Sequence, residues 1–189
     1  MRHDNFVPNV RIRSRGRLPH WEVDNAVYSV TFRLRDSLPH EIARSLTRER
    51  EHMLRTVTTD VERARFDEAF ALRLDHYLDE GHGSCLLRQH GALVAQALQY
   101  FDGDRYQLHA WCVMPNHVHV MFYLEFGRDL DKVLHSWKSF TSHEIGRGNV
   151  WQKEYFDRVI RSPEHFNTTR AYIRNNPAKA GLGNWPWVG

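Results

Sequence analysis

The stretch Met114-Pro115-Asn116-His117-Val118-His119-Val120-Met121-Phe122 limits what this chain can fold into more than any other. From His117 onward, polar or chemically useful residues alternate with Val118, Val120 and Phe122 at the two-residue period of a pleated backbone, which predicts a strand. Both imidazoles then point to one face of a sheet, and the aliphatic and aromatic side packs against helices. Pro115 limits the backbone and Asn116 suits a turn, so the chain is expected to arrive from a tight corner and to present the histidines on an open sheet surface. Two neutral imidazoles held side by side make half a metal site. A His-x-His pair is equally at home on a half-exposed strand, so the assignment depends on a third ligand and a reactive group elsewhere in the chain.

With 189 residues and 22.4 kDa, one domain is expected over 21–189, preceded by a basic arm over 1–20. No run approaches the ~18 apolar residues of a membrane helix, which leaves the cytoplasm as the default location and no membrane as partner. Cys85 and Cys112 lack metal-type spacing and are expected to be buried thiols. Charge is uneven: between Lys132 and Lys179 nine Lys and Arg stand against four Asp and Glu, as suits a polyanionic partner or a solvated basic face. Arg11, Arg13, Arg15 and Arg17 repeat the theme at every second residue, where an arm could lie along phosphates.

In chain order, Leu18-Pro19-His20 reads as turn-like, and Ala26 to Leu34, rich in β-branched and aromatic residues, as the first strand. Pro39 opens a long helix-favouring connection to about Glu80, in which Phe66, Phe70, Leu74 and Tyr77 form one stripe. That connection is assigned to packing and to no chemistry. A helix through Leu86 to Phe101 follows, then a strand from about Tyr106, the histidine strand, a helix over 129–145 and a strand over 156–161. Ser162-Pro163-Glu164 starts the last helix, which is expected to end near Asn176 because Pro177 disfavours helical geometry before it. The order predicts an α+β fold of ferredoxin-like, RRM-like split β-α-β type. Its antiparallel sheet has helices on one face and the other face free, and a long helical connection extends it after the first strand.

Tyr172 and Asn176, four apart on the last helix, share a face distinct from that of Phe166 and Ile173. If this helix lies beside the histidine strand, Asn176 could complete a site for Mg²⁺ or Mn²⁺ with His117 and His119, and Tyr172 could attack phosphorus. Taken alone, Tyr172 reads as packing and Asn176 as an ordinary helix end; Tyr155 is the rival tyrosine. Lys138, Arg158 and Arg161, with the amino-terminal arginines, are candidates for phosphate contacts or for a solvated face, and Trp151 and Phe156 for stacking on unpaired bases or for burial.

Three blocks carry a resemblance: Met114 to Val120, Trp151-Gln152-Lys153-Glu154-Tyr155-Phe156-Asp157-Arg158-Val159-Ile160-Arg161, and Ala171-Tyr172-Ile173-Arg174-Asn175-Asn176-Pro177-Ala178-Lys179-Ala180-Gly181-Leu182. In that order and spacing, with Pro19-His20-Trp21 to Phe32 and Trp137-Lys138-Ser139-Phe140, they resemble the single-tyrosine HUH transposases, in the branch associated with repetitive extragenic palindromes. The resemblance implies a domain that nicks and rejoins single-stranded DNA at the foot of a hairpin. His117, His119 and Asn176 would bind the metal, and Tyr172 would keep the 5′ phosphate and release a 3′ hydroxyl. The bond energy stays in the linkage, so no nucleotide cofactor is implied. Monomer and homodimer both stay open.

Three rivals fit parts of the pattern. In a histidine-triad hydrolase the third position would be histidine, and here it is Met121. A metal-dependent phosphoesterase of the mononuclear zinc kind would want an acid near the pair, and the nearest in sequence is Glu125, beyond the strand's expected end. A non-catalytic module that only binds hairpin DNA through its basic face is the third.

Overall fold

Alternating Val, Ile, Tyr and Phe build four strands that pair antiparallel in the order β4-β5-β3-β6. The computed structural model describes residues 10–15 and 18–189. Its elements are β1 (Val10–Arg15), β2 (Leu18–Val23), β3 (Ala26–Arg33), α1 (His40–Thr56), α2 (Asp60–Asp79), α3 (Leu87–Gln99), β4 (Gln107–Val113), β5 (His117–Leu124), α4 (Leu130–Ile145), β6 (Phe156–Ile160) and α5 (Pro163–Lys179). The strand order is that of a split β-α-β fold, with α3 and α4 as its two crossover helices.

One sheet face is apolar throughout. Tyr28, Val30 and Phe32 of β3 and Val118, Val120 and Phe122 of β5 are buried against Leu87, Val94 and Leu98 of α3 and Leu130, Leu134 and Trp137 of α4. Trp151, 1% exposed, belongs to this core: it meets Phe32 edge-on at 4.9 Å, and its indole N–H donates to Thr141 Oγ1 at 2.8 Å.

The other face, expected to be free, is covered. Ile173 of α5 packs on Ala110, Cys112 and Met121, while Phe70 and Leu74 of α2 pack with Phe156. The reason lies in the long connection: its Phe66, Phe70, Leu74 stripe needs a partner, and the histidine face of the sheet provides one. The connection also breaks into two helices, because Thr59 and Glu62 form a capping box that starts α2.

Three expectations about local structure change. Leu18-Pro19-His20 is not a turn but the start of β2, which pairs with β1 in a two-stranded hairpin. The helix after Pro163 does not stop at Asn176; it runs through Pro177 to Lys179. Pro177 lies in the last turn, where only one intrahelical hydrogen bond is forfeited, and its buried ring packs. Cys112 is buried as expected, but Cys85 is partly exposed. Among the described residues, no helix is long and apolar enough to cross a membrane.

The edge of β4 is closed by the segment 185–189. The Trp111 N–H donates to Gly189 O at 2.9 Å and the Val113 N–H to Trp187 O at 2.9 Å. Gly91 permits this, since a Cβ there would stand 2.3 Å from the Trp187 ring.

Truncating the buried indole tests the position of Trp151. Trp151→Ala is expected to cost about 3–5 kcal/mol in urea unfolding, whereas an exposed stacking residue would leave stability unchanged.

Candidate active site

The corner before β5 works as the sequence suggests, and it does more than turn. Asn116 is 1% exposed and donates through Nδ2 to the carbonyls of Leu78 at 3.1 Å and His82 at 3.1 Å. Those two bonds fix which way its amide points. Its Oδ1 therefore faces His117 Nδ1 at 2.8 Å, so Nδ1 carries the proton and the Nε2 lone pair is bare. On the neighbouring strand Thr31 stands opposite His119, with its hydroxyl 2.9 Å from His119 Nδ1. The second-layer partners thus aim both Nε2 atoms at one place, 2.9 Å apart.

Burial accompanies this aim. His117 is 0% and His119 3% exposed, so the open surface expected around them is instead an interior pocket closed by α2 and α5. Loss of water holds His117 well below the usual imidazole range, with the neighbouring His119 adding to the effect. Burial lowers His119 too, opposed in part by the Asp75 carboxylate.

α5 is set by its start and its buried side. Ser162 accepts from the His165 N–H at 3.0 Å, Pro163 takes the first position, and Ile173 is anchored on the sheet. Tyr172 then faces His119, with ring centroids 6.0 Å apart, and Asn176 stands against the Tyr172 hydroxyl. The Tyr172 hydroxyl donates to Asp75 Oδ2 at 2.6 Å, and Asn176 Nδ2 donates to the same hydroxyl oxygen at 3.3 Å. Asn176 Oδ1, fully buried, has no hydrogen-bond partner among the described residues. Burial first, and then the Asp75 charge, push the Tyr172 phenol well above its ordinary value.

Asp75 is the residue that sequence reading missed. It lies on the side of α2 that carries Leu74 and Leu78, in a connection assigned to packing alone, and one acid in a charged helix gives no periodic signal. The rival tyrosine is otherwise engaged: Tyr155 is buried, and its hydroxyl donates to Asp131 of α4.

The phosphate candidates divide. Arg158, opposite Ser29 on the histidine face, and exposed Arg161 line a groove of about 760 Å³ whose walls include Asp75 and Tyr172. Lys138 is drawn inward, donating to the carbonyls of Gln152 at 3.0 Å and Lys153 at 3.1 Å, with burial lowering its ammonium to about 8. Trp151 and Phe156 are buried, which is the other of the two readings the sequence allows them. Arg11, Arg13 and Arg15 lie along β1, and their side chains, like all of Arg17, fall outside the described residues.

Among the described residues, no three His, Cys, Asp or Glu are grouped as a metal site. The donors of His117, His119 and Asn176 nevertheless fit a hard divalent cation. Adjacent ligands on an octahedral ion with ~2.1 Å bonds stand about 3.0 Å apart, and the two Nε2 atoms stand 2.9 Å apart. The unpartnered Asn176 oxygen is the kind of atom that a cation satisfies.

The buried imidazoles make folding sensitive to acid. The native state keeps them neutral where the unfolded chain takes up protons, so stability is complete above their ordinary value of 6.5 and falls as pH drops below it. Urea unfolding between pH 7.5 and 5.5 should show a loss of up to about 1.4 kcal/mol per histidine per pH unit, and a smaller loss in a His117→Gln/His119→Gln chain.

Comparison with known proteins agrees with this geometry. Residues 92–176 match the family described as "Transposase IS200 like". The REP-associated tyrosine transposase of Escherichia coli (strain K12) is 30% identical over 113 residues, which is 55% of this chain and 67% of that protein. The solved structure of a REP-associated tyrosine transposase bound to a REP hairpin superposes with a TM-score of 0.59. At 20% identity, over 93% of this chain and 82% of the other, it shows a common fold. With the histidine strand and the tyrosine helix inside the matched stretch and the fold shared across nearly the whole chain, this protein belongs to the REP-associated tyrosine transposases.

Proposed function

We propose that this chain cleaves single-stranded DNA at the foot of palindromic hairpins through a covalent 5′-phosphotyrosine, and rejoins strands by the reverse step. The observation that carries the reading is that the Tyr172 ring stands 6.0 Å from His119, whose Nε2 lies 2.9 Å from that of His117, with Asn176 at the Tyr172 hydroxyl and a groove with Arg158 and Arg161 beside Tyr172. His117, His119 and Asn176 are the residues that would hold Mg²⁺ or Mn²⁺. Bound there, the cation would polarise a phosphate oxygen and offset the negative charge that keeps the phenol protonated.

The chain's own groups supply the rest. Asp75 Oδ2 takes the hydrogen bond of the Tyr172 hydroxyl and so directs both its lone pairs and its proton. As the phenol oxygen forms its bond to phosphorus, the proton moves to Asp75 Oδ2. The phosphorus–3′-oxygen bond breaks, and the departing oxygen takes a proton from water to leave as a 3′ hydroxyl, while Asp75 returns the phenol proton to solvent. The phosphodiester is exchanged for a phosphotyrosine of similar energy, so no nucleotide cofactor enters. Arg158, half-buried and with no partner for Nε among the described residues, and the exposed Arg161 line the groove and would contact phosphates of the strand. One copy of the chain holds tyrosine and histidines together, so a monomer has all the groups the step requires.

Asp75 gives a second reading some support, because it provides the acid near the histidines that a metal-dependent phosphoesterase needs. Replacement of Tyr172 separates the two. With hairpin DNA labelled at its 3′ end and Mn²⁺ present, the wild-type chain is expected to carry label on a denaturing protein gel. EDTA and Tyr172→Phe should each abolish it, with hairpin binding retained in the variant. Strand cleavage that survives in Tyr172→Phe would establish the phosphoesterase instead, and tight binding without any adduct would point to a silent hairpin-binding module. Arg158→Ala and Arg161→Ala are each expected to weaken binding to all hairpins alike and to reduce the slope of log affinity against log salt by about one.

A further inference from the structure

The family match begins at residue 92, yet one carboxylate of the site comes from before it. Asp75 is 6% exposed, and its two oxygens do different things. Oδ2 holds the Tyr172 hydroxyl at 2.6 Å. Oδ1 is buried, has no hydrogen-bond partner among the described residues and lies 3.8 Å from His119 Nε2. A buried carboxylate oxygen is seldom left unpaired, since the desolvation of a charged group then goes uncompensated. His119 does not supply the missing partner, because 3.8 Å is beyond hydrogen-bond reach.

Among the described residues His117, His119 and Asp75 do not form a ready-made metal group, so a cation would have to draw them together, and the spacing allows it. Two ligands of one cation can be no farther apart than twice the bond length, about 4.2 Å for ~2.1 Å bonds. The Asp75 Oδ1 to His119 Nε2 separation falls inside that limit. Asn176 Oδ1, the other unpartnered buried oxygen of the pocket, belongs to a residue that touches the same Tyr172 hydroxyl. Two imidazoles and an amide are neutral donors, and a hard divalent cation favours at least one anionic oxygen among its ligands.

We propose that Asp75 is the anionic ligand of the divalent-cation site, reaching it through Oδ1 while Oδ2 fixes the Tyr172 hydroxyl. This rests on the cation reading given above and extends it to a helix outside the family-matched stretch. One carboxylate then sets the nucleophile and the cation at a fixed separation, and α2 becomes a working wall of the site.

Mn²⁺ titration of the full chain, read from the electron paramagnetic resonance signal of free Mn²⁺, tests this without any DNA or turnover. Asp75→Asn is expected to weaken Mn²⁺ binding at least tenfold. Tyr172→Phe, which removes only the hydroxyl from Oδ2, should leave it within about twofold. Asp75→Glu keeps a carboxylate and should bind better than Asp75→Asn. That comparison decides the matter even if the asparagine variant folds poorly in a thermal melt with EDTA. Wild-type affinity in Asp75→Asn, or equal losses in the Asn and Glu variants, overturns the role of Asp75 alone. A wild-type chain that binds no Mn²⁺, and is indistinguishable in this from His117→Ala, overturns the cation reading and this inference together.

Discussion

Antiparallel pairing of β3 with β5 is the constraint on which the rest of the structure depends. With Thr31 against His119 and Arg33 against His117, every residue with chemistry to offer falls on one face. Phe32, Val118 and Val120 fall on the other, where α3 and α4 seal them. A slip of one residue would exchange the faces, burying imidazoles in the aromatic core. The apolar face therefore does two jobs: it supplies the hydrophobic stabilisation, and it fixes where the histidines point.

Burying the polar face has an electrostatic cost that the fold meets with fixed partners. Asn116, tied to Leu78 and His82, steers His117, and Thr31 steers His119. Arg33 beside them donates to the Leu34 carbonyl and to Ser37 Oγ, with burial lowering its guanidinium to about 10. Tyr172 leans on Asp75, which joins α5 to α2 across the pocket. Such a network holds its groups in set directions, at the expense of dielectric screening for any charge left unpaired.

Much of this was legible in the residues. The Val118, Val120, Phe122 alternation gave the strand and its apolar side, Ser162-Pro163-Glu164 gave the start of α5, and the four-residue step from Tyr172 to Asn176 put both on one side of it. Each is a local signal, with a period or a cap behind it. Trp151 and Lys138 left two readings open, because aromatic and basic residues look the same in a sequence whether they meet a ligand or a neighbouring loop. Only their surroundings, Phe32 and Thr141 for one and two loop carbonyls for the other, distinguish the cases. The free sheet face failed for a similar reason: the stripe on the long connection showed that α2 must pack, but carried no address.

The sequence by itself determined the four strands of the main sheet, the cap that starts α5, the shared face of Tyr172 and Asn176, and the family to which the chain belongs, because those are set by neighbours within a few residues or by motif order. Only the tertiary structure decided that the histidines are buried, that α2 closes their face, and that Asp75 meets Tyr172 across 97 positions of chain. Long-range contacts follow from how apolar stripes choose among available surfaces, a competition over the whole chain that no local spacing records.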